Sequence, residues 1–137
     1  MDNYDNLLLM KKNMETGFLV EEIGSYKINN HIEFIEKIFL AEEEDNAYIY
    51  LTLTTYEIEE DWKYYGILDL YNMDIYNNKI SDIEELEDSY NPSWLLKIQY
   101  IENYVFIENL LNDILSIHEA ELNRIMPLIN KEDYIEQ

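Results

Sequence analysis

Cysteine is absent from this chain, proline occurs twice, and glycine occurs three times in 137 residues. Without thiols there is no disulfide, no thiolate nucleophile and no cysteine-based metal site. With only Gly17, Gly24 and Gly66 there is no glycine-rich loop to cradle a phosphate. Histidine occurs only at His31 and His118, and no two histidines stand four apart on a helix, so no metal-ligating spacing is present. No window approaches the length of a membrane-spanning helix. The apolar run Leu7–Met10 is short and follows Asp2 and Asp5, whereas a signal peptide has a basic start and a longer apolar stretch. The expected location is the cytoplasm. Positive charge is the other scarcity: 9 Lys and Arg stand against 30 Asp and Glu, for a formal net charge of −21.

That imbalance narrows the partners. A strongly negative field repels phosphate backbones and anionic membrane surfaces, so neither direct nucleic-acid binding nor membrane attachment is expected. It favours a basic protein partner. Charge of this kind also keeps a small domain soluble whatever it binds. The chain is not disordered, because 47% of its residues are hydrophobic and 13 are tyrosine. A chain of this length folds as one domain with a proper core, here residues 1–137.

The clearest structural signal is a hairpin from Phe34 to Thr55. In its return half Ile49, Leu51 and Leu53 fall on one face and Tyr48, Tyr50, Thr52 and Thr54 on the other, which is the period of a strand. The outgoing half is Phe34–Leu40, and the acidic turn is Glu42–Asn46. Before it, Asn6–Lys12 and Phe18–Ile23 read as strands joined by a turn at Met14–Gly17, with Ser25–Ile28 extending the second. Asn30 and Glu33 have the spacing of a capping box, so a short helical turn can precede the hairpin. After the hairpin, Tyr56–Asp61 reads as an acidic loop or one helical turn. Trp62–Tyr71 reads as a strand, with Gly66 marking a bulge or a close backbone approach. In the long connection from Asn72 to Pro92, Ile80, Ile83 and Leu86 suggest a short helix. Trp94–Ile101 reads as the last strand.

Tyr104, Ile107, Leu111, Ile114, His118, Leu122 and Ile125 then repeat by three and four, the spacing of a long amphipathic helix that Pro127 ends. Leu128–Gln137 is a further short helix or a tail. The predicted fold is α+β: an antiparallel sheet of five or six strands in a meander, covered by the C-terminal helix.

Several chemistries find no support. The acidic stretches lack the central glycine and distal glutamate of an EF-hand loop. No serine sits in a nucleophile elbow. Carboxylate pairs are uninformative in so acidic a chain. His118 lies on the apolar face of the helix and reads as a core histidine bonded to a neighbour. No catalytic residue, metal site or cofactor is predicted.

Thr16-Gly17-Phe18, Gly24-Ser25-Tyr26 and Asn91-Pro92-Ser93-Trp94 running into Leu95–Ile98, with the segment beginning at Trp62, resemble small acidic proteins of low-GC Gram-positive bacteria that form a family of unknown function. The resemblance spans most of the chain and implies a bacterial cytoplasmic protein without an assigned activity.

The functional expectation is a non-enzymatic acidic interaction protein, of the inhibitor, immunity or nucleic-acid-mimic kind, that binds a basic partner. The expected surface is Glu42, Glu43, Glu44 and Asp45 at the hairpin turn, with Glu57, Glu59, Glu60, Asp61 and the strand residues Tyr48 and Tyr50. A third acidic stretch runs from Asp82 to Asp88. No Lys or Arg lies between Lys37 and Lys63, so nothing nearby in sequence neutralises the first two stretches. The alternatives are a small-ligand or enzymatic domain with a pocket between sheet and helix beside His118, and a housekeeping subunit whose charge only confers solubility.

Overall fold

A computed structural model describes residues 3–134. Asp2 and the last three residues of the Leu128–Gln137 segment lie outside them. The fold is α+β, with six strands: β1 (Asp5–Lys12), β2 (Leu19–Ile28), β3 (Ile35–Glu43), β4 (Asn46–Leu53), β5 (Asp82–Glu85) and β6 (Trp94–Gln99). Two α-helices, α1 (Asp61–Leu70) and α2 (Tyr104–Ile125), join short 3-10 turns to complete it.

The sheet order is β2-β1-β3-β4-β6-β5. It is mixed, which corrects the expected antiparallel meander: β1 and β3 run parallel, joined at Lys11 and Leu40. The reason is where the chain re-enters. β2 ends at Ile28 opposite Asp5, the start of β1, so β3 begins at the end of the sheet where β1 begins. It lies beside β1 rather than β2, and so must point the same way. The short helical turn before the hairpin is present, at Ile32–Phe34, with His31 before it in the left-handed region at φ 72°.

The β3–β4 hairpin follows its alternation. Ile49, Leu51 and Leu53 are fully buried, and through their pairing with Leu96, Ile98 and Trp94 they build the face on which α2 packs. From α2 that face receives Ile107, Leu111, Ile114, Leu115, Leu122 and Ile125. Each such side chain contributes roughly 1.5–3 kcal/mol by leaving water. Asn103 caps α2, its Oδ1 accepting from the Phe106 N–H at 3.1 Å. After Ile125 the helix gives way to a 3-10 turn containing Pro127. Another 3-10 turn follows at Lys131–Tyr134.

Two segments differ from the expectation. Trp62–Tyr71 is helical, forming α1 and its C-cap, rather than a strand. Its aromatic residues favour strands, yet Tyr64, Ile67, Leu68 and Tyr71 are all buried or half-buried, and a strand would split Tyr64 and Leu68 from Ile67 and Tyr71 whereas a helix places all four on one side. Asp61 in its first turn complements the helix dipole. The Ile80–Leu86 stretch is not a helix: Asp82–Glu85 is the edge strand β5, with Ile83 paired to Leu96. The helical residues of that connection are instead a 3-10 segment at Met73–Lys79. Three apolar residues three apart are too short a run to hold a helix, and only Ile83 of the three lies within the strand.

Gly66 is a site of close approach within α1. A Cβ placed there would collide with the side chain of Ile129. In an open helix Gly→Ala gains about 1 kcal/mol. Here Gly66→Ala is expected to lower stability by about 1–3 kcal/mol in urea denaturation, through overpacking. Adding Ile129→Ala should recover part of that loss, whereas additive losses would show that the contact is not the cause.

Candidate functional site

Where the alternative reading places a pocket, the space between sheet and helix is filled. His118 is fully buried. Its Nε2 lies 2.8 Å from the Thr54 carbonyl oxygen, which can only accept, so Nε2 carries the proton and donates. Its Nδ1 therefore accepts from the Tyr71 hydroxyl at 2.7 Å. Tyr71 in turn accepts from the Tyr76 hydroxyl at 2.6 Å. Trp94 stacks on Tyr71 with ring centroids 4.0 Å apart. Burial lowers the His118 pKa to about 4, so the ring is neutral near neutrality. Burial also raises the pKa of both tyrosines, which stay protonated. The polar atoms of His118, Tyr71 and Tyr76 all have partners, as the core-histidine reading expects, whereas the Trp94 Nε1 is buried without one among the described residues.

One turn along α2, Glu121 is a buried carboxylate with a full set of donors. Arg124 reaches it with two 2.7 Å bonds and the Asn72 N–H with another at 2.7 Å. Burial works to raise the Glu121 pKa, but Arg124 and the Asn72 N–H outweigh it and hold the carboxyl below its usual value. Arg124 also donates to the Leu70 carbonyl at 3.3 Å.

The expected acidic surface divides between the two ends of the sheet. Glu42, Glu43, Glu44 and Asp45 lie at the β3–β4 turn. Glu57, Glu59, Glu60 and Asp61 follow the far end of β4, and a strand of this length separates them by roughly 25 Å. At the turn, cations distant in sequence answer the charge. Lys11 bonds Glu42 at 2.8 Å and Lys97 bonds Glu43 at 2.6 Å. Tyr50 also donates to Glu43. Lys97 first and Tyr50 second hold the Glu43 pKa below its usual value.

Tyr48 and Tyr50 sit on the sheet face away from α2, half-buried among lysines. Tyr50 stacks on Phe39 with centroids 5.3 Å apart. Lys97 lies 4.3 Å from the Tyr48 ring centre and Lys12 lies 4.6 Å from that of Phe39. This row of rings and ammonium groups crosses β1, β3, β4 and β6. It shields a face that no helix covers among the described residues.

At the other end the second and third acidic stretches meet, a convergence that spacing along the chain did not disclose. They line an open cleft of about 1030 Å³. One wall is Glu57, Glu59 and Asp61 with Tyr64, Tyr65 and Asp69 of α1; the other is Glu85, Glu87, Asp88 and Tyr90. The half-buried Ile58, Leu68 and Leu86 lie between them. The pairing of β5 with β6 brings Glu85 opposite Trp94 and so carries the Glu87–Tyr90 loop beside α1.

The walls are cross-tied. Tyr64 donates to the Ser89 carbonyl at 2.7 Å, the Ile58 N–H donates to Asn91 Oδ1 at 3.0 Å, and Tyr90 donates to Glu57 at 2.9 Å. Burial, with Asp88 and Glu85 nearby, raises the Tyr64 pKa, and the bond to Glu57 raises that of Tyr90. Glu60 is not part of the lining: it pairs with Lys63 at 3.2 Å and accepts from Trp62 at 2.8 Å. The lining holds seven carboxylates and no Lys or Arg. None of the seven has a cationic side chain within 4 Å among the described residues. Such a cleft can hold a cation by charge and by the faces of Tyr64, Tyr65 and Tyr90.

The chain belongs to a family of unknown function, DUF6762, whose match covers residues 1–135. No curated protein and no solved structure matches it. No described helix is long and apolar enough to cross a membrane.

The buried imidazole makes a pH-dependent contribution to stability. Its pKa is about 4 in the fold against 6.5 for an ordinary histidine. The unfolded chain therefore takes up this proton first as pH falls. The contribution is complete above pH 6.5, is lost between 6.5 and 4, and amounts to roughly 3 kcal/mol. A His118 proton resonance should titrate with a midpoint near 4, and a midpoint near 6.5 would contradict the burial argument. In urea denaturation, His118→Gln should lack the histidine part of the wild-type loss across that window.

Proposed function

We propose that this protein is a non-enzymatic acidic interaction protein that binds a basic protein partner, with lysine or arginine side chains of the partner entering the cleft between α1 and the Glu85–Tyr90 loop. The observation that carries the reading is the lining itself: seven carboxylates and three tyrosines converge there with no cationic side chain within 4 Å of the carboxylates among the described residues. A Lys or Arg chain matches both features. Its charged head meets carboxylates at the rim, while its methylene stem lies along Tyr64, Tyr65 and Leu68.

The unanswered acids also explain why the cleft is preferred to the hairpin turn, where Lys11 and Lys97 already hold Glu42 and Glu43. A basic surface that normally holds nucleic-acid phosphates has the chemistry such a partner requires, which is the sense in which an inhibitor or immunity role fits. The volume of the cleft, about 1030 Å³, favours one second reading, a small organic polycation as the ligand.

The test is capture of a partner on the immobilised protein from a lysate of its native host, at low and at high salt, with mass spectrometry as the readout. A basic protein held at low salt and released at high salt is the expected result. Replacing Glu59, Glu85 and Asp88 together by Lys should reduce capture at least about tenfold with folding intact. Replacing Glu43, Glu44 and Asp45 together by Lys should change it little. If the hairpin set alone abolishes capture, the binding surface is the hairpin turn and the cleft assignment fails. A partner retained regardless of salt would contradict the electrostatic reading.

A further inference from the structure

The two edges of the sheet are finished differently. β5, at one edge, is four residues long and carries Asp82, Glu84 and Glu85. Shortness and charge are the usual protection of an exposed edge. β2, at the other edge, is ten residues long, and only its second half is sealed. There α2 supplies the missing partners: Glu108 accepts from the Lys27 N–H, Asn112 Nδ2 donates to the Lys27 carbonyl at 2.9 Å, and Asn112 Oδ1 accepts from the Asn29 N–H at 2.9 Å. Lys27 thus turns its backbone groups away from β1.

By the alternation of an antiparallel pair, Ser25 turns its N–H and C=O the same way. No described side chain bonds to them. Further along, the register skips Ile23 and Val20, so these residues have no opposite number on β1. The side chains beside this stretch are apolar and uncovered: Phe18 is 71% exposed, Leu19 54% and Val20 56%. Glu21 and Glu22 follow; Lys11 stands opposite Glu21 on β1 and acts on it through space, and neither glutamate has a cation within 4 Å among the described residues.

The geometry points to the Phe18–Ser25 half of the β2 edge as a strand-addition site for an extended partner segment in which apolar and basic residues alternate. Unpaired backbone groups call for an extended chain, which adds as a seventh strand. Phe18, Leu19 and Val20 call for apolar side chains, and Glu21 and Glu22 call for basic ones. A second copy of the protein fits the backbone but not the charge, since it would bring the same glutamates and a further formal −21. The basic chemistry of the occupant is that of the proposed partner. The surface is separate from the cleft, because the Asn13–Phe18 turn and the cleft lie at opposite ends of the sheet.

The probe is a synthetic peptide of alternating valine and lysine, titrated into the full 15N-labelled chain, with alternating valine and glutamate as control. The lysine peptide should shift amides of residues 19–25 and slow hydrogen exchange at Ser25 at least about tenfold, and the glutamate peptide should do neither. Ser25→Pro, at a position where an edge strand tolerates proline, should weaken binding at least about tenfold. If it disturbs folding, the double variant Phe18→Lys, Val20→Lys leaves the backbone intact and should weaken binding equally. Shifts confined to residues 57–69 and 85–90 would overturn the strand-addition site while supporting the cleft. Shifts in neither place, or equal binding of the glutamate peptide, would overturn it outright. Ser25 protection in a dimer without peptide would make a second copy the occupant and overturn the assignment of a basic segment.

Discussion

His118 ties three parts of the chain together at the point where α2 crosses the sheet. Through Nε2 it holds the Thr54 carbonyl, just beyond the end of β4, and through Nδ1 it holds Tyr71, just beyond the end of α1. Glu121 and Arg124 add ties to the Asn72 N–H and the Leu70 carbonyl. The segment between Thr54 and Tyr71 is thus anchored at both ends, and that segment contains Glu57, Glu59, Asp61 and all of α1. One wall of the acidic cleft stands where it does because a neutral imidazole and an ion-paired carboxylate lie beneath it. Neither group tolerates loss of its partners cheaply, since a buried unpaired polar group costs about 1–3 kcal/mol and an unpaired charge more.

Seen from the sheet, charge is sorted rather than merely abundant. Three lysines are spent at one end and on the open face: Lys11 on Glu42, Lys97 on Glu43, and Lys12 against Phe39. The end holding the cleft receives Lys63 and Lys131, but Lys63 pairs with Glu60, on which Lys131 also acts, and Glu60 turns out of the lining. Seven carboxylates are left facing one another across an open groove. A structure that only needed solubility could spread them evenly, because like charges brought together repel. Their convergence is the reason for assigning recognition to this end of the molecule.

How much of this the sequence revealed depended on whether a residue's role was local. The β4 alternation and the three-four spacing of α2 are local, and both elements form as read, including His118 as a satisfied core histidine. The turn at Gly17 is local too, and its φ of 79° is the left-handed conformation glycine permits. α1 is strand-like by residue type at Trp62, Tyr64, Tyr65 and Ile67, while the combined spacing of Tyr64, Ile67, Leu68 and Tyr71 carries the weaker helical signal. The parallel β1–β3 pairing depended on which edge the returning chain met. Non-local pairing also decided the site: Lys97 stands 54 positions from the Glu43 it neutralises, and the Glu57–Asp61 stretch meets Glu85–Asp88 only after β5 has joined the sheet.

Zero-length carbodiimide cross-linking of the captured complex, followed by peptide mapping, tests the central claim most directly, because it joins only carboxylates and amines already in contact. The account predicts links from partner lysines to Glu57, Glu59, Asp61, Glu85, Glu87 or Asp88, lost when the complex is formed at high salt. Links found only at Glu42, Glu43, Glu44 or Asp45 would contradict it and move recognition to the opposite end of the sheet.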